Sequence, residues 1–274
     1  MLTEFLVDLS IPYGLISVEG NDVQKFLQGQ LTCDMRDITP EKPGMGAYCN
    51  LKGRIRALFR IFIRDNTYYL LLPKNVLPNT ISHLKKYALF SKITVKDAST
   101  TFQCLGICHY SSSANRSNLT SLLENPNCTV LTVSSEQDIV IFPAEHPLPI
   151  HVSNINTVQW VDFEVWKLLD IRNGIPQVWL ETVEQFLPHD LNLPQLGAVS
   201  FTKGCYCGQE IIARMEYRGK LKRHLQHIIL PSATDLPLPG TKLFSEQEPE
   251  KEMGTVVSAC FNPKHHVELL IVMN

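Results

Sequence analysis

Between positions 55 and 72 the chain alternates apolar and polar side chains, turns, and extends again, which commits it to an antiparallel sheet. Ile55, Ala57, Phe59, Ile61 and Ile63 fall on one side of an extended segment. Arg56, Arg60 and Arg64 fall on the other, with Leu58 and Phe62 between them. Asp65-Asn66-Thr67 supplies a turn and Tyr68-Tyr69-Leu70-Leu71-Leu72 a returning strand, completing a hairpin. A row of arginines on one strand face is ordinarily solvated; it also suits an anionic ligand.

Helical patterns are interleaved with further strands. Residues 15–20 read as a strand, after which Asn21 or Asp22 caps a helix carrying Val23, Phe26, Leu27 and Leu31. Gly29 weakens that helix and implies its end or a close backbone approach. A second helix fits 75–90, with Pro78 tolerable only in its first turn. A third fits 159–173, with Trp160, Phe163, Lys167, Leu168 and Ile171 on one stripe and Gly174 and Pro176 as its stop. Strands are expected at 93–96, 102–108, 129–133 and 138–142, with an exposed polar loop at 111–118. Four short pieces at 221–230, 241–244, 254–261 and 266–273, separated by Pro and Gly turns, predict a small β-barrel or meander. The fold class is α+β.

Of the 274 residues, 44% are hydrophobic and 19% charged, which is ordinary for a soluble chain with a substantial core. A net charge of -2 provides no general case for nucleic-acid binding. Eight cysteines are scattered at 33, 49, 104, 108, 128, 205, 207 and 260, unlike the dense pattern of secreted scaffolds, so reduced thiols are expected. Cys104 and Cys108 share one side of a strand but lack the second pair that zinc requires. The first residues lack a basic region before an apolar run, and no apolar run approaches the ~18 residues that cross a bilayer. The expectation is a cytoplasmic, bacterial protein without a membrane partner.

The stretch from Phe201 to Glu210 packs a cation, two thiols, two glycines and a carboxylate into ten residues. Gly204 and Gly208 suit sharp turns, and a helix should begin near Gln209. Cys205 then lies ahead of a helix start, with Lys203 two residues away and Arg214 and Arg218 downstream, a potential that favours the thiolate. The competing reading is a small buried hydrophobe behind a tight turn. Cys207 adds a neighbouring thiol suited to act as a second ligand or a resolving group.

Lys203, Gly204, Cys205, Tyr206, Gly208, Gln209 and Glu210 match the hallmark Lys-Gly-Cys-Tyr-x-Gly-Gln-Glu, and the chain thereby resembles the YgfZ-type folate-binding proteins, relatives of the glycine-cleavage T-protein. The run Phe26-Leu27-Gln28-Gly29-Gln30-Leu31-Thr32, with Asp34 beyond it, is similar to a second family block, as are 84–93 and 185–193. The resemblance implies a T-protein-like body over 1–220, two interlocked α+β parts with a boundary near 98–150 around a central folate opening, and a β-barrel over 221–274. It implies tetrahydrofolate or a one-carbon derivative as cofactor. It further implies a role in making or repairing iron-sulfur enzymes, including those that thiolate tRNA, with client enzymes or assembly factors as partners and no direct nucleic-acid contact.

By the same resemblance Cys205 is the reactive group, next to the folate opening and with Lys203 beside it, acting as nucleophile, reductant or transient iron ligand. Tyr206, Gln209, Glu210, Arg214, Gln28, Gln30, Asn50, Arg54 and Asn192 are the expected folate contacts. Two departures stand out. Arg172 takes the place where T-protein relatives carry a folate-facing acid, and Ile55-Arg56-Ala57-Leu58, after the Lys52-Gly53-Arg54 turn, lacks the acid that aminomethyl transfer uses. Aminomethyltransferase activity and a non-catalytic folate-sensing scaffold are the alternative functions.

Overall fold

The computed structural model describes residues 4–109, 127–145, 158–219, 222–231, 235–245 and 248–274; the loop expected at 111–118 lies outside them. The chain begins in one sheet and crosses at once to another. Strand β1 (Glu4–Asp8) belongs to the second sheet, whereas β2 (Tyr13–Gly20) joins β3 (Gly44–Cys49), β4 (Ile55–Arg64), β5 (Thr67–Pro73) and β6 (Ile93–Asp97) in the first, ordered β3-β4-β5-β2-β6. All its pairings are antiparallel. The hairpin forms as its turn chemistry dictates: Asp65 and Asn66 have φ of 48° and 60°, the doubly left-handed pair whose twist matches two antiparallel strands.

Helices α1 (Val23–Gln30) and α2 (Leu77–Ala88) cover one face, burying Leu27 and Leu84 against Ile16, Phe59, Ile61 and Leu70. The opposite face is also buried, because Leu15, Phe62 and Leu71 pack into a core shared with the second sheet. The arginine row is therefore not a uniform solvated face. Arg56 pairs with Glu184 at 2.6 Å, Arg64 donates to the Asn127 carbonyl at 2.6 Å, and Arg60 lines an interior space.

The second sheet comprises β10 (Val158–Trp160), β1, β7 (Phe102–His109), β9 (Gln137–Pro143) and β8 (Thr129–Ser134) in that order, with β10 parallel to β1 and the other pairs antiparallel. Cys104 and Cys108 are both buried in its core. Here the long third helix is corrected: Gln159 and Trp160 extend the edge beside β1, and α3 spans Phe163–Arg172 after an extended Asp162. Pairing with an open sheet edge outweighs the helical pattern there, and Trp160 is left 51% exposed. Trp166 is the buried anchor instead, seated on Gly106, where a Cβ would lie 2.7 Å from its ring.

The third sheet takes β11 (His224–Leu230), β14 (Val267–Met273), β13 (Glu252–Phe261) and β12 (Lys242–Phe244), all antiparallel. Among the described residues β11 and β12 are not paired with each other, so where a small barrel or meander was expected the four strands form an open sheet with β11 beside β14; β12 has three residues and a bulge at Leu243/Phe244. This sheet is bolted to α3. Arg172 binds Glu268 through two bonds of 2.6 and 3.0 Å, and His227 and Asn262 complete the set around that buried carboxylate. The Arg172 guanidinium, ahead of the other donors, holds Glu268 down to about 2. No helix among the described residues is long and apolar enough to cross a membrane.

Candidate functional site: a zipped signature segment and a buried acid

The signature segment lies against the Gln-Gly-Gln block. Ser200 N–H donates to Thr32 O at 2.9 Å, Thr32 Oγ1 to Ala198 O at 2.6 Å, and Cys207 N–H to Gly29 O at 3.2 Å. Lys203 closes the seam: its Nζ donates to the carbonyls of Leu31 and Cys33, both at 2.7 Å, and lies 4.8 Å from the Tyr206 ring centroid. Gly29, in the last turn of α1, thus has a carbonyl free to receive the second block. The two stretches that looked like separate motifs are one structural unit.

The Lys203 ammonium is buried and its bonds go to backbone carbonyls; burial, against the attraction of Cys33 and Asp34, pulls it down to about 8. Cys205 itself is exposed, which rules out the buried-hydrophobe reading. Helix α4 (Gln209–Arg218) starts behind Gly208, making the half-buried Cys207 the thiol nearer its first turn.

Gly208 has φ of 82°, and a Cβ there would meet Asn50 O at 2.6 Å and Gly53 Cα at 3.0 Å, so α4 docks directly on the 50–54 turn. Gly208→Ala is expected to destabilise the protein by about 2–4 kcal/mol through left-handed strain and this clash. Gly204→Ala, where a Cβ meets nothing within 4 Å, should stay within about 0.5 kcal/mol of the parent. Urea midpoints of the two variants check this, and equal losses would contradict it.

The remaining expected contacts are dispersed. Gln28 bridges Asp34 Oδ1 and Met35 N–H; Gln209 Oε1 accepts from Tyr206 N–H; Asn192 ends a short helical turn with φ of 54°. Glu210 and Arg214 are on the solvent side of α4, while Gln30 Oε1 and Tyr206 Oη are buried without hydrogen-bond partners. Asn50 and Arg54 line a separate surface cleft.

Between the first two sheets opens a cleft of about 410 Å³, lined among others by Met45, Arg60, Leu131, Val133 and Leu196. Behind it, sharing Met45 and Arg60, lies a space of about 10 Å³ walled by Tyr13, Trp166 and Asp170, room for about one water. Cys205 lines neither space. Asp170 is 5% exposed and accepts a bond from Gln137 Nε2 at 3.0 Å. Burial, only partly offset by the charge of Arg60, raises its carboxyl to about 7. Tyr13 Oη is buried there with no hydrogen-bond partner.

Arg172, the residue at the departure from the T-protein pattern, turns to Glu268, and Asp170 two residues earlier is the acid that lines the interior space. The signal was present: Phe163, Trp166 and Asp170 recur at helical spacing, putting a carboxylate on the apolar stripe of α3.

Two sheets face to face around a central cleft, with a smaller sheet bolted behind, make the aminomethyltransferase T-protein fold. The crystal structure of glycine cleavage system aminomethyltransferase T from Bartonella henselae matches with a TM-score of 0.76 at 18% identity, covering 99% of this chain and 78% of that one. No family model matches the chain. Curated relatives do: tRNA-modifying protein YgfZ of Colwellia psychrerythraea is 31% identical over 250 residues, 89% of this chain and 76% of the relative. YgfZ of Photobacterium profundum is 32% identical over 242 residues, 84% and 71% of the two chains, and an uncharacterized Haemophilus influenzae protein is 32% identical over 267, 96% and 86%. The chain belongs to the YgfZ family of tRNA-modifying proteins.

Proposed function

We propose that this protein binds a tetrahydrofolate or one-carbon derivative in the central cleft and uses Cys205 to support the synthesis or repair of iron-sulfur enzymes, including those that thiolate tRNA. The observation that carries the folate reading is Asp170, a buried acid behind a half-apolar cleft. Through the one water for which the space behind the cleft has room, a carboxyl group there can accept from the N–H donors of a pterin edge, and the partnerless Tyr13 Oη offers a further polar contact. Met45 and Leu131 supply apolar wall, and Arg60 supplies positive charge. When bound, a reduced folate supplies one-carbon units or reducing equivalents. Titrating wild type and Asp170→Asn with tetrahydrofolate at pH 8, above the value of about 7 at which the buried carboxyl releases its proton, tests the assignment: at least tenfold weaker binding is expected from losing one charged hydrogen-bonding group, and unchanged affinity would refute it.

Cys205 presents its sulfur at the surface, where a protein-sized client can reach it, and in this reading the thiol meets the client while the cleft holds the cofactor. Cys205→Ser is expected to abolish support of tRNA thiolation in cells lacking the native protein, with an unfolding midpoint within about 0.5 kcal/mol of wild type, because an exposed side chain contributes little to stability. Normal thiolation in that background would defeat the thiol mechanism.

Aminomethyl transfer is the second reading, favoured by the fold alone. Against it, Ile55 to Leu58 at the start of β4 carries no carboxylate to manage the folate amine. Turnover of an aminomethyl carrier would reinstate it, while folate occupancy without any thiol-dependent phenotype would favour a sensing scaffold.

A further inference from the structure

A second cleft, of about 620 Å³, lies where the turn beneath α4 faces the C-terminal sheet, and it shares no lining residue with the central one. Its charged lining is Lys52, Arg54, Arg223, Lys242, Glu184 and Glu252. The turn wall is held in place: Asn50 Oδ1 accepts from the N–H groups of Lys52 and Arg54 at 2.9 and 3.0 Å, and Gly53 supplies a φ of 72°.

The two acids are already neutralised. Glu252 binds Lys242 at 2.7 Å and Glu184 binds Arg56 at 2.6 Å. Three cations on the rim remain incompletely matched. Lys52 is exposed and forms no ion pair among the described residues, and the side-chain bond of Arg54 goes to the neutral Gln185 carbonyl at 2.5 Å. Arg223 reaches Asp190 only at 3.3 Å and leaves its Nε buried without an acceptor. Excess positive charge in a concave site is the environment that a multivalent oxyanion relieves.

We infer that this cleft binds a small ligand bearing at least two oxyanion charges, from either a phosphate ester or a chain of carboxylates. Arg54, Arg223 and Lys52 line one cleft of about 620 Å³ that admits such a group, and binding there must weaken as salt screens the charges. The site stands independently of the folate reading.

Calorimetric titration of the full chain at low ionic strength with inorganic pyrophosphate and, separately, with triglutamate tests it. At least one probe is expected to bind; Lys52→Gln should weaken it at least threefold and Lys52→Gln/Arg54→Gln at least tenfold, while Asp170→Asn leaves it unchanged. Lys52→Gln removes an exposed side chain, so its effect is separable from folding, and Arg54→Lys should recover part of the loss. Preference for pyrophosphate identifies a phosphate ligand, preference for triglutamate a polycarboxylate, and equal binding a general polyanion site. Failure of both probes, or affinities indifferent to both substitutions, overturns the inference.

Discussion

Replacing Asp170 by Asn should make the ligand-free protein more stable at pH 8, by about 3–4 kcal/mol, and no more stable at pH 4. The sign follows from burial. In the folded chain the carboxyl keeps its proton up to about 7, whereas in the unfolded chain it releases it near the ordinary aspartate value, about 3.9. Between those values the folded state binds more protons than the unfolded one, so stability falls by up to about 1.4 kcal/mol for each pH unit gained. Above both values the loss is complete and constant. Asn is neutral throughout and can still accept from Gln137, so its curve lacks this component. Guanidinium unfolding of both proteins from pH 4 to 8.5 should give curves that separate as pH rises and then run parallel. Parallel curves throughout would mean that Asp170 is solvated. Opposite effects of one substitution on stability and on folate affinity would mark a binding group held in an unfavourable place.

Lys203→Met is expected to destabilise the protein by about 2–4 kcal/mol, larger than a lysine replacement at the surface could produce. The substitution keeps the aliphatic stem but removes the donor to two buried carbonyls, Leu31 O and Cys33 O, and the contact with the Tyr206 ring. Each orphaned acceptor costs about 1–3 kcal/mol and the cation–π contact about 0.5–2, partly offset by no longer burying a charge. Because this seam also aligns the segment bearing Cys205, client support should be lost together with stability. A neutral result in a urea melt would show that the carbonyls find other donors and that Lys203 is not the clamp.

Much of the architecture was legible locally. The hairpin at 55–72 was readable because alternation and an Asp-Asn turn act within a few residues of each other, and three of the four C-terminal strands began within two residues of their expected starts. Gln159 and Trp160 were misread because a helical stripe and a strand edge look alike until a partner strand is known, and β1, more than 150 residues away, is that partner. The site was legible as a list and not as a place. Seven signature positions pointed to one segment, yet whether Lys203 faces Cys205 or Leu31 depends on a seam between stretches some 170 residues apart.

By itself, the amino-acid sequence determined most of the element types, the hairpin turn, the glycines that permit close approach, and membership in a family through its short hallmark. Propensity, periodicity and φ preference are properties of neighbours along the chain. Tertiary structure alone decided which polar groups are buried and what they meet: Asp170 raised in a dry interior, Lys203 drawn to carbonyls, Arg172 held by Glu268, Cys205 left in water. Desolvation and charge pairing depend on groups brought together from distant parts of the chain, and no local pattern records them.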